Sequence, residues 1–398
     1  MVAPSADDLG ASGLEALAEL TEAHSPRASA SAEERAAAMY IAEQFKALGY
    51  TTEIVPFSVE LPRTNPPVLQ VDHPLAEPVG SLDAWTLPLE NSGEGEATGV
   101  LRAVGKGLLD EVTPASLTGR VALIERGIIT FQEKVSRVAD AGAVAAVIYN
   151  NRDGAFSGRL TGPSEIPAVA VSRERGEALL ELMSSGNVEA TVSVVFETRE
   201  SANVVAELKG ADPDGGVVVL GGHYDTVPNV PGVNDNGSGI AVMLTIARQA
   251  SQSTYPFTLR FIAFGSEEIG LLGSQRYVDS LSKSELADIV AMFNFDALGT
   301  GDTTVLVATP WLGELFESVA VGGESRVQLR RSEGLRGASS DHAPFAAAGI
   351  SFAFVFANDL SRIHTPEDVL EHVDPRRIGE AVTLAIATLD ALAAEPRE

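Results

Sequence analysis

Two histidines and five carboxylates in this sequence combine the chemistry and the placement of a metal centre. His223 and Asp225 follow the β-branched run GVVVLGG, Glu267 and Glu268 follow FTLRFIAFG, and Asp296 closes DIVAMFNF. His364 lies one loop beyond SFAFVFA, and Asp235 sits in the turn-rich PGVNDNGSG, ahead of a helix expected from near Ser238. Imidazole nitrogen and carboxylate oxygen hold divalent cations such as zinc, and a chain without cysteine has only His, Asp and Glu as strong ligands. Singly, each group has an ordinary explanation. A His-x-Asp pair makes a local hydrogen bond, adjacent glutamates are a solvated charge pair, and NDNGSG is a loop with a helix cap. In HTPED, Thr365 as N-cap, Pro366 at the first helical position and Asp368 two residues later predict a helix start that accounts for everything except His364. Coincidence would have to place all of them at strand ends in one chain.

The elements that must position these groups are legible by period. After Ala202 short apolar runs alternate with helical stretches, which predicts a mostly parallel mixed sheet flanked by helices on both faces. Such sheets bind ligands beyond the carboxyl ends of their strands, where the polar residues fall. Upstream, Ser31 and Glu34 predict a capping box for a helix over residues 31–48, with Met39, Ile41, Phe45 and Leu48 as its apolar positions and Gly49 as its stop. From about Leu61 to Glu96 the chain is rich in Pro, Gly and acidic residues and reads as a crossing between domains. From Gly119, RVALIER, TFQEKVSRVADAGA and VAAVIYNN predict a strand, helix, strand unit belonging to a separate domain.

Size and charge narrow the function classes. At 398 residues, two domains or one large domain with an insert are expected. With 55 acidic against 28 basic residues, the net charge of −27 repels nucleic acid and anionic lipid, so neither is expected as a partner. No stretch reaches the roughly 18 apolar residues of a membrane span, and MVAPSADDLG lacks the features of a signal peptide. Either the chain is cytoplasmic or a leader has been removed. Secretion is expected, with a cytoplasmic location as the alternative, and the sequence assigns no oligomeric state.

Two resemblances sharpen this picture. GRVALIERG, FQEKVSRVADAGAVAAVIYNN and IPAVAVSRERGEAL, over about residues 97–198, resemble the protease-associated domain, a small β-rich α/β insert without catalytic groups. The insert is taken as residues 79–199, dividing a peptidase domain of residues 1–78 and 200–398. The ordered set GGHYDTVPNVPGVNDNGSG, FGSEEIGLLGS, FNFDALG, SSDHAPF and IHTPED resembles the two-zinc, leucyl-aminopeptidase-like bacterial exopeptidases. That resemblance implies the zinc exopeptidase fold and two zinc ions. One is bound by His223 and Asp296, the other by Glu268 and His364, and Asp235 bridges them across a cis Asp235–Asn236 peptide. It further implies that Asp225 orients a ligand imidazole and that Glu267 is the general base for a zinc-bridged hydroxide, with peptides bearing a free N-terminus as substrates.

Many relatives carry a tyrosine just before the last histidine to stabilise the oxyanion, and some have isoleucine there. Here that residue is Ile363, and the nearest earlier tyrosine is Tyr277. Ser340, Asp341 and His342 resemble a segment near the site, with a supporting or packing role expected. The alternatives within the fold are a carboxypeptidase or dipeptidase, for which Arg331 or Arg336 would have to bind a carboxylate, a glutaminyl cyclase, and a non-catalytic binding protein.

Overall fold

The computed structural model describes residues 4–63, 68–72, 86–154, 156–322, 328–332 and 339–394. The chain forms two compact units, one of Met1–Val59 with Glu200–Glu398 and one of Glu60–Arg199. The passage expected at residues 78 and 79 lies outside the described residues.

The first unit begins with helices α1 (Ala6–Ala23) and α2 (Ala32–Ala47) and strand β1 (Thr51–Pro62). The second unit follows, with β2 (Leu69–Asp72), β3 (Leu87–Pro88), β4 (Gly95–Ala103), β5 (Arg120–Glu125), α3 (Phe131–Asp140), β6 (Ala145–Tyr149), β7 (Ala168–Val171), α4 (Arg173–Ser185) and β8 (Glu189–Val194). The chain re-enters the first unit through β9 (Phe196–Leu208), then β10 (Val217–His223), α5 (Gly239–Ala250), β11 (Thr258–Phe264), α6 (Leu272–Ser280), α7 (Lys283–Asp288) and β12 (Ile289–Phe295). It closes with β13 (Thr304–Ala308), α8 (Pro310–Gly322), β14 (Leu329–Arg331), α9 (His342–Ala347), β15 (Phe352–Ala357) and α10 (Pro375–Ala394).

In the first unit an eight-stranded sheet runs β1-β9-β11-β10-β12-β15-β13-β14. Its centre, β11-β10-β12-β15, is parallel, whereas β9 and β13 join antiparallel. Side chains alternate between the two faces of a strand. Val218 and Leu220 face the core shared with α1, α2, α5, α8 and α10, while Val219 faces the one shared with α6 and α9. The mixed, mostly parallel sheet with helices on both faces therefore forms as its apolar runs predict. The second unit holds a seven-stranded sheet, β2-β8-β4-β5-β6-β7-β3, with separate cores against α3 and α4. Its β5, α3 and β6 are the predicted strand, helix, strand unit, with parallel pairing from Val121↔Ala145 onward. Among the described residues no helix is long and apolar enough to cross a membrane.

Three local expectations are corrected. In α2, Ser31 caps the Glu34 N–H, but the Glu34 side chain does not return to Ser31; it turns into the protein and is buried. On the same helix Ile41 and Phe45 enter the core, whereas Met39 is 50% exposed, because α2 offers only one face to the sheet. No helix starts at Thr365 either. The Asp368 carboxylate that was expected to cap it accepts N–H bonds from Asn234 and Asp235 instead, so the segment stays in turns.

Candidate metal centre

Parallel pairing of β11, β10 and β12 aligns their carboxyl ends, and each end delivers one group: Glu267–Glu268, His223–Asp225 and Asp296. The strands approach closely here. A Cβ on Gly222 would lie 2.7 Å from the Phe295 carbonyl oxygen, so the residue before His223 has room only for hydrogen. Asp235 reaches the same crevice from the irregular turn before α5, across a cis peptide to Asn236. His364 reaches it from the loop after β15.

The side chains converge. Asp235 stands between the imidazoles, with Oδ1 at 3.2 Å from His223 Nε2 and Oδ2 at 3.1 Å from His364 Nε2. Asp296 Oδ1 is 3.5 Å from His223 Nε2, and Glu268 Oε2 is 3.2 Å from His364 Nε2. Glu267 Oε2 lies at 3.9 Å from His223 Nε2. Asp225 Oδ1 sits 3.5 Å from the other ring nitrogen, His223 Nδ1. Ligand atoms of His223, Glu267 and Asp296 fall within 4.8 Å of one another, as do those of His223, Asp235 and Glu268.

A layer of buried polar groups holds this constellation. Asp225 accepts the backbone N–H groups of both Glu267 and Glu268, at 2.9 and 3.2 Å, which locks the glutamate loop to the end of β10. Glu34, arriving from α2, accepts the N–H of Ser266. Asp368 accepts the N–H groups of Asn234 and Asp235 at 2.7 and 3.0 Å. Asn236 accepts from Gly239 and Ala297 and donates to the Phe295 carbonyl, and Ser340 donates to Asp296 Oδ2 at 2.8 Å. Ser266, Ala297 and His364 have positive φ, at 57°, 49° and 59°, so each of these three loops bends through a conformation disfavoured for residues other than glycine. Sequence reasoning missed Glu34, Asn236 and the true role of Asp368. Only the short-range cap pattern marked Glu34 and Asp368, and it pointed to the wrong partner.

Other candidates fall away from the crevice. Tyr277 accepts from Arg260 and stacks on Phe345, so it does not substitute for the tyrosine that Ile363 replaces. His342 stacks on Phe354, and burial pushes its pKa down to about 4, which makes it a packing residue. Arg331 is held by Glu317 and the Pro310 carbonyl, and Arg336 lies outside the described residues.

Electrostatics test whether cations fit. Burial pushes Glu268 up to about 7, with Asp235 adding to the effect against the pull of His364. Glu267 rises well above the carboxylate range, through burial first and then through Asp341, Glu268 and Asp296, which His223 only partly offsets. His364 is driven up to about 11 by its bonds to Asp235 and Glu268. Burial alone would lower His223, but Glu267 and Asp296 outweigh it and raise it. Among the described residues, Glu268 Oε1 is buried without a hydrogen-bond partner. Carboxylates in excess of imidazoles, with one oxygen orphaned, form a pocket short of positive charge, and its N and O donors without thiolate suit zinc.

Comparison with known proteins shows which family the chain resembles. Residues 203–389 match peptidase family M28, and residues 87–179 match the PA domain. Aminopeptidase YwaD of Bacillus subtilis (strain 168) is 34% identical over 394 residues, covering 94% of this chain and 82% of that one. The chain belongs to peptidase family M28. It is a metallopeptidase carrying a PA domain. Among solved structures, the zinc aminopeptidase BSAP from Bacillus subtilis superposes with a TM-score of 0.81 at 30% identity, over 98% of this chain and 96% of that one. An aminopeptidase from Aneurinibacillus sp. strain AM-1 gives 0.74 at 30% identity, over 98% and 95%. The leucine aminopeptidase 2 of Trichophyton equinum is 42% identical over 191 residues, 47% of this chain and 38% of its own length.

Proposed function

We propose that this M28 peptidase is a zinc-dependent aminopeptidase in which His223 and Asp296 hold one zinc ion, Glu268 and His364 hold the other, Asp235 bridges both, and Glu267 is the general base. The observation that carries the assignment is Asp235, whose two oxygens face different histidines at nearly equal distance. Two zinc ions, when bound, supply Lewis acidity and lower the pKa of water towards about 7.

The chain's own residues supply the rest. Glu267 is next to a ligand but lies farthest from the imidazoles, and burial beside Asp341 raises its proton affinity. A carboxylate so tuned takes a proton from the attacking water and returns it to the leaving nitrogen as the amide C–N bond breaks. Asp225 holds Glu267 and Glu268 by their backbone N–H groups and stands behind the His223 ring, so one buried carboxylate orients base and ligands together. The acidic groups around the crevice favour a substrate's free α-ammonium over a carboxylate. That Arg331 is engaged by Glu317 weighs against the carboxypeptidase alternative.

Aminoacyl p-nitroanilides test this reading. Hydrolysis is expected for a free α-amine, abolished by a chelator and restored by zinc, and absent for the N-acetylated analogue. Release of the carboxy-terminal residue from an N-blocked dipeptide would overturn it.

A further inference from the structure

One buried cation takes no part in the proposed reaction. Arg27, in the connector between α1 and α2, is fully buried, and among the described residues it has no carboxylate within ion-pair distance. Its guanidinium is spent on three backbone carbonyls and one hydroxyl. Nε donates to the Tyr224 carbonyl at 2.6 Å, Nη2 to that of Gly232 at 2.8 Å, and Nη1 to that of Pro231 at 3.3 Å and to Ser25 Oγ at 3.1 Å. The connector backbone adds to this, because Arg27 N donates to Thr226 Oγ1 and Thr226 N donates to the Arg27 carbonyl.

Tyr224 lies between His223 and Asp225, and Pro231–Gly232 begin the loop that delivers Asp235. We propose that Arg27 is a positioning residue of the zinc site: its fork ties the backbone of the His223 segment to the root of the Asp235 loop and so sets the spacing between the terminal and bridging ligands. The inference rests on Asp235 being a ligand. Geometry explains why the residue is arginine. A planar guanidinium presents N–H groups in fixed directions to separate carbonyls, whereas a lysine ammonium is a point donor and cannot span them in the same way. Asp368 completes the arrangement from the other flank by accepting the N–H groups of Asn234 and Asp235. The loop is thus held by a cation on its carbonyls and an anion on its amides.

A rival role for Arg27 is that of a counter-charge to the acidic pocket, and the two roles differ in sign. Removing a mere counter-charge makes the pocket more negative and tightens zinc binding. Removing a positioning residue loosens it. Zinc affinity is measured by competition with a chromophoric chelator for the wild type, Arg27→Lys, Arg27→Met and Asp235→Asn, together with kcat and KM on an aminoacyl p-nitroanilide at saturating zinc.

Arg27→Met is expected to weaken zinc binding about 10–100-fold, as for other groups that orient ligands, and Arg27→Lys to recover only part of it. At saturating zinc kcat should fall while KM stays within about twofold, because ligand spacing is felt in the transition state. Unchanged or tighter zinc binding by folded Arg27→Met, or a lowered melting temperature as its only defect, overturns the proposal. If Arg27→Met does not fold, wild-type zinc affinity in folded Arg27→Lys overturns it instead. Undiminished zinc binding by Asp235→Asn removes the ligand reading and this inference with it, whereas weakened binding there alone removes only the inference.

Discussion

Glu267 and Glu268 are neighbours of one residue type for which different tasks are proposed, and their surroundings differ accordingly. Glu268 points to His364 at 3.2 Å and is placed to bind metal, whereas Glu267 stays 3.9 Å from the nearest imidazole. Glu267→Gln should keep both zinc ions and lose about 10²–10⁴-fold in kcat, because it removes the proton acceptor and leaves the ligands. Metal analysis beside turnover measures this, and equal loss of zinc would sink the role. Glu268→Gln should lower zinc content first.

Proton competition makes a further prediction at this scale. As proposed zinc ligands, Glu268, held up to about 7, would have to be deprotonated and His364, held up to about 11, neutral. Both groups release protons when metal binds, so zinc affinity should rise with pH and fall steeply as pH drops below about 7. Chelator competition from pH 5.5 to 8.5 measures it, and a flat profile would contradict the ligand assignment. The residue types and their strand-end placement were legible in the sequence. Which oxygen meets which nitrogen was not, because that depends on loops bending through left-handed conformations at Ser266, Ala297 and His364.

At the scale of elements, the end of α2 does more than the period of its apolar residues suggests. Glu34 Oε1 accepts from Ser201 Oγ at 2.8 Å and from the Ser266 N–H at 3.2 Å, while Oε2 accepts from the Ala30 N–H at 2.7 Å. All of these are donors, so the carboxylate anchors the loop that presents Glu267. Glu34→Gln puts an amide donor among donors and should shift that loop, lowering kcat about 10–100-fold with zinc content largely retained. Steady-state kinetics beside metal analysis decides between this and a purely structural role. The helix itself is a packing element: Phe45 lies 5.7 Å from Tyr50 and 5.5 Å from Phe261, ring to ring, and is fully buried. Phe45→Ala should cost about 3–5 kcal/mol of stability in denaturant unfolding.

For the whole molecule, each unit carries its own sheet and cores, and every proposed ligand lies in the first. The second unit leaves and rejoins through chain segments that are already bonded, with Arg63 N donating to the Val195 carbonyl at 2.7 Å and Thr198 Oγ1 to Glu60 at 2.6 Å. Replacing residues 64–194 by a short Asn-Gly turn should therefore preserve β1 and β9, leaving zinc binding and hydrolysis of small aminoacyl amides. A variant with a cooperative thermal transition that binds no zinc would refute this. The sequence by itself determined the alternation of strands and helices, the donor chemistry and its position at strand ends, because period and residue type are local properties. Tertiary structure alone decided the partners of Arg27, Glu34 and Asp368, which bond across 205, 232 and 134 residues. Two of these carry textual signs of helix caps, yet a buried charge takes whichever donors the fold brings to it, and no local pattern encodes that choice.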